Sequence, residues 1–156
     1  MKRILLITVV LSALIALPAA GQVNITVGAG GIYPAGTTFS GVAINGLQSG
    51  YGVEVSSTGS ALGQFCTVLL GTTALGGQQN IVIEGKASSG SRTAGNIATF
   101  SGSCSINMGD GTAPLLGVPF TATITTNAND QGSIGLVLGL TTLPNASVSQ
   151  GSMTIK

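Results

Sequence analysis

The chain has 156 residues, of which 6% are charged and 44% hydrophobic, with no His and no Trp. A typical folded domain is about 25% charged, so nucleic-acid binding through a basic patch is excluded. The apolar fraction likewise excludes a disordered chain. Missing His removes Ser–His hydrolysis and His/Cys zinc sites from the catalogue of chemistries.

The amino terminus reads MKRILLITVVLSALIALPAAGQ. Lys2 and Arg3 precede an apolar run over residues 4–17, and Ala19-Ala20-Gly21 supplies small residues before Gln22. This pattern predicts a secretory signal peptide over 1–21, too short and too isolated to be a membrane anchor. It leaves one domain, 22–156, of 135 residues (156 less 21). That domain carries Lys86, Arg92 and Lys156 against Glu54, Glu84, Asp110 and Asp130, a net charge of −1. Its surface must therefore be built from Ser, Thr, Asn, Gln and Gly, and it has little self-repulsion to oppose association. The expected address is secreted, either extracellular or periplasmic, in a bacterial cell.

Beyond the leader the apolar period is two. Val23, Ile25 and Val27 alternate with polar residues, as do Tyr51, Val53 and Val55. The same alternation covers 118–125 and 133–140, and shorter strand candidates are 38–44, 65–70, 80–85, 97–100, 103–107 and 152–155. Each is a half-buried strand pattern. Gly-rich segments divide them: GAGG at 28–31, NGLQSG at 45–50, SSTGS at 56–60, LGGQQN at 75–80, SSGSRTAGN at 88–96 and MGDG at 108–111. Turn signals about every ten residues predict an all-β sandwich or barrel. About nine strands favour the first: a single-domain antiparallel β-sandwich of Greek-key, immunoglobulin-like type. A β-solenoid would require a fixed repeat, and none is present. The first strand, followed by GAGG, reads as a segment able to move as an arm and to be lent to a neighbour.

Cys66 and Cys104 both fall in predicted strands. In an exported protein they predict a disulfide, which would pin one strand to another. Neither has a His to activate it, so thiol catalysis is not expected.

The segment NANDQG at 127–132 resembles part of a calcium loop in spacing, but Asn127, Asn129 and Gln131 are neutral. The position where a bidentate Glu is required holds Leu138. It reads instead as a hairpin turn, as does Asp110-Gly111. A glycosidase needs two carboxylates flanking the scissile bond, and the four acids give no sign of such a pair. GAGG and LGGQQN precede no helix and carry no G-K-[ST], so neither is a phosphate loop. Asn24 and Asn145 each begin an N-x-[ST] sequon. Among the aromatics, Tyr33 lies beside Pro34 in a Gly-rich segment and is the candidate ligand contact.

These observations predict a non-enzymatic exported protein without cofactor or metal, structural or surface-associated, whose partners are itself or other envelope proteins. The alternative is an extracellular binding module, for carbohydrate or another ligand, using segments 28–36 and 107–117 with Tyr33.

Overall fold

The computed structural model describes residues 21–156; the leader at 1–21 lies almost wholly outside that range. The described residues contain no helix. The chain runs through β1 (Val23–Ile32), β2 (Thr38–Phe39), β3 (Val42–Val55), β4 (Ser60–Thr72) and β5 (Ile81–Ala94). It continues through β6 (Ile97–Asn107), β7 (Leu115–Thr126), β8 (Gly132–Leu138), β9 (Thr141–Thr142) and β10 (Ala146–Ile155).

All pairings are antiparallel and join one sheet in the order β1-β10-β8-β7-β6-β5-β4-β3-β2, with β9 on β8. The decisive pairing is a further one: β1 also pairs β3, from Val23 opposite Val55 to Ile32 opposite Gly46. The ladder therefore returns to its own start. Eight strands, β1, β3 to β8 and β10, form a closed ring, with β2 and β9 as short flaps. An eight-stranded barrel has an interior just wide enough for side chains to fill.

This replaces the expected Greek-key sandwich. A Greek key needs a long connection that skips neighbours, whereas here β5 and β6 are joined by Gly95-Asn96 alone and β3 and β4 by residues 56–59. Short links between antiparallel strands make sequence neighbours pair. Closure also removes the expected arm, because β1 is hydrogen-bonded along both edges, to β3 and to β10.

Several Gly-rich segments are strand rather than turn. GAGG lies within β1 and NGLQSG within β3. Ala29 and Leu47 hold the inward phase there; Gly28, Gly30 and Gly50 stand on the outer face, while Gly46 is buried and a Cβ on it would lie 2.8 Å from the Gly31 carbonyl oxygen. The predicted strands 97–100 and 103–107 fuse into β6. Between β2 and β3, Ser40 (φ 48°) and Gly41 (φ 83°) both adopt left-handed geometry, the requirement of a two-residue hairpin loop.

The period of two sorts most side chains, with Leu62, Val68, Leu70, Val82 and Val137 among the apolar residues of the outer face. Inward positions hold Ile25, Val27, Val53, Phe65, Leu69, Ile83, Phe100, Phe120, Ile124 and Leu136, all buried. Phe65 stacks on Phe120 at 4.6 Å, and Phe100 meets Tyr51 and Phe65 edge-on at 5.3 Å and 5.9 Å. Outward positions hold hydroxyls, including a Thr99–Thr123 hydrogen bond of 3.2 Å and a Ser89–Ser101 hydrogen bond of 2.8 Å across strands. A lipid-facing barrel shows the reverse, with an apolar band outside.

Candidate functional site

The barrel wall bears an open groove of about 1080 Å³ crossing β3 to β7 on the outer face. Strand register builds it from two rows. Gly52 pairs Gln64, Gln64 pairs Lys86, Lys86 pairs Ser103, and Ser103 pairs Pro119. Beside that row, Gly50 pairs Cys66, Cys66 pairs Glu84, and Glu84 pairs Ser105. Adjacent strands lie about 4.8 Å apart, so five strands span roughly 19 Å. The polar side chains are an amide, hydroxyls, one ammonium and one carboxylate, arranged without a second acid nearby.

Two glycines have inward phase at this level. A Cβ on Gly85 would lie 2.8 Å from the Cys104 Cβ and 2.9 Å from the Phe120 ring, and one on Gly102 would strike the Lys86 carbonyl. Their glycine identity is thus explained by core packing. Gly50 and Gly52 are different: a Cβ on either meets nothing within 4 Å.

The structure separates the residues that the sequence singled out. Cys66 and Cys104 are free thiols, the first half-buried and the second buried. Cys66 follows inward Phe65 and so points outward, whereas Cys104 shares the inward phase of Phe100. They also stand on β4 and β6, with β5 between. Two ladder spacings are about 9.6 Å, beyond the roughly 7 Å that a disulfide bridges. The expected bond is therefore corrected to two thiols on opposite faces of the wall. Burial, and then the neighbouring Glu84 charge, push the Cys66 thiol up; burial alone does so for Cys104.

Tyr33 is not an exposed contact. It is 4% exposed, and its hydroxyl, like that of Tyr51, is buried without a hydrogen-bond partner. The reason lies in phase: Tyr33 continues the inward series Ile25, Val27, Ala29 past the end of β1. Burial raises the phenol of both tyrosines above its ordinary range, with the charge of Tyr33 adding to the shift at Tyr51.

The acids are scattered. Asp110 lies in the β6–β7 connection and Asp130 in the β7–β8 connection, at opposite ends of the barrel. Glu54 pairs Leu62 and Glu84 pairs Cys66, an offset of four residues and two strands, or roughly 16 Å. No group of three or more His, Cys, Asp or Glu suited to a metal ion occurs among the described residues. NANDQG is a turn: Asn127 Oδ1 accepts from the backbone N–H of Asn129 and Gln131, each at 3.0 Å, and Asp130 has φ 54°. Asp110 accepts from the Thr112 hydroxyl at 2.7 Å and its N–H at 3.0 Å, which holds its carboxyl below the usual range. Asn24 and Asn145 are both exposed.

A second surface feature escaped the sequence reading. Ile32, Leu75, Leu115, Leu116 and Leu140 are exposed, Leu75 and Leu140 almost completely; Leu62, also exposed, opens β4 at the other end. Leu75 lies in the β4–β5 connection, Leu115 and Leu116 open β7, and Leu140 follows β8. In an up-and-down barrel these positions share one end. That end carries only Asp110 among its charges, while Glu54, Arg92, Asp130 and Lys156 cluster toward the other. The alternation over 133–140 placed Leu140 on the buried phase, but β8 ends at Leu138, Gly139 turns the chain with φ 59°, and Leu140 is left exposed.

No helix among the described residues is long and apolar enough to cross a membrane. Comparison of the chain with protein-family models, with curated proteins and with solved structures finds no match.

Proposed function

We propose that the protein is an exported, non-catalytic assembly module that docks through the apolar end of its barrel, to a second copy or to another envelope protein. The observation carrying this reading is that Ile32, Leu75, Leu115, Leu116 and Leu140 are exposed at the nearly uncharged end, with Leu62 alone among the exposed large apolar residues at the other. Exposed apolar side chains gathered on one surface mark interaction sites, and a nearly uncharged rim adds little repulsion between partners. The dispersed acids and the absence of His support a binding role rather than a catalytic one. Docking by donation of β1 is not part of this reading, since both of its edges are in use.

Light scattering across a concentration series tests the proposal. The secreted protein is expected to self-associate or to capture an envelope partner, and Leu116→Ser with Leu140→Ser to abolish this without lowering the melting temperature. A protein monomeric throughout, with no partner sensitive to these changes, refutes it.

A further inference from the structure

The outer groove has a feature that the fold does not require. Gly50 and Gly52 occupy outward positions in the middle of β3, have ordinary strand backbone, and leave open space where a Cβ would stand. Glycine in a strand interior weakens it and marks places where a ligand or another backbone comes close. Here the two glycines form the floor at one end of the groove, and the registered rows continue from them as Gln64, Lys86 and Ser103, and as Cys66, Glu84 and Ser105.

We propose that this groove binds a neutral, hydroxyl-rich extended chain, an oligosaccharide, laid across the strands over Gly50 and Gly52. The polar groups match such a ligand. Gln64 both donates and accepts, Lys86 donates, Glu84 accepts, and the serines do either. Their repeat is the strand spacing, about 4.8 Å, close to the advance of one sugar unit in an extended glycan. An extended peptide is disfavoured because the barrel wall offers it no unpaired strand edge. A nucleic acid is disfavoured because Lys86 is the one cation lining the groove and Glu84 stands beside it. With a single carboxylate in the groove, the bound chain is held rather than cleaved. No aromatic platform is exposed there, so binding is weak and depends on several hydrogen bonds together.

The test is calorimetric titration of the protein, secreted from its full gene, with neutral oligosaccharides of the gluco-, xylo-, manno- and chito- series. A short peptide and single-stranded DNA serve as comparisons. At least one oligosaccharide is expected to bind and to slow alkylation of Cys66, which lies in the groove floor. Gly50→Leu with Gly52→Leu should weaken binding roughly tenfold or more while leaving the melting temperature unchanged. If that variant unfolds, Gln64→Ala takes its place. No binding by any oligosaccharide, preference for the peptide or DNA, or affinity indifferent to these substitutions overturns the proposal. None of these residues touches the leucine rim, so failure here is distinct from failure of end-on assembly.

Discussion

Ser49 Oγ and Thr67 Oγ1 lie 2.8 Å apart inside the barrel, on facing positions of β3 and β4. Thr67 is wholly buried and Ser49 nearly so, with Leu47, Tyr51, Phe65 and Leu69 before and after them on the same inward phase. Each hydroxyl is the other's partner. Together they carry a polar pair across an apolar core at little net cost, because a buried hydrogen bond largely replaces the ones made with water.

Removing one partner leaves the other stranded. Thr67→Val is expected to lower the unfolding free energy by about 1–3 kcal/mol, read from chemical denaturation. Adding Ser49→Ala should recover much of that loss, giving a non-additive cycle. Additive losses would mean that the two hydroxyls do not depend on each other.

The cysteines should behave as two unlike thiols. Reductant is expected to leave the melting temperature unchanged, and intact mass to correspond to two free –SH groups. Cys66 should alkylate in the native protein, slowly near neutrality because its thiol is raised, and faster when Glu84→Gln removes the adjacent charge. Cys104 should alkylate only on unfolding. A Cys66–Cys104 linked peptide in a non-reduced digest would contradict the opposite phases of β4 and β6.

Alkaline pH should destabilise the fold through its tyrosines. Tyr33 and Tyr51 keep their protons in the folded state at pH values where an unfolded phenol, with a pKa of about 10, loses them. Above that pH the folded state binds more protons than the unfolded one, so stability falls as pH rises. Below it their contribution is fully present. The two raised thiols act with the same sign from about pH 8.5 upward. Denaturation followed from about pH 8 to about pH 11 should show this slope, and Tyr33→Phe with Tyr51→Phe should reduce it to the part due to the thiols. Because neither hydroxyl has a partner to lose, the double variant should fold well at neutral pH. An unchanged slope would place the sensitivity elsewhere.

Local pattern alone determined the all-β class, the inward phase of Val23, Ile25 and Val27, of Phe120 and Ile124, and the turn at NANDQG, because period and turn chemistry act within a few residues. The phases of Cys66 and Cys104 were also legible, since Cys66 follows Phe65 directly while Cys104 stands an even number of residues from Phe100; that signal already spoke against a bond between them. Glycine misled at GAGG and NGLQSG, where Gly28, Gly30 and Gly50 leave the outer face bare and Gly31 and Gly46 allow close backbone approach inside the strands. Closure of β1 onto β3, the two rows that meet in the groove, and the gathering of all exposed large apolar residues but Leu62 at one end were decided only by tertiary structure. Each depends on which residue of one strand lies opposite which residue of the next, and that register is set by packing around the whole ring rather than by neighbours along the chain.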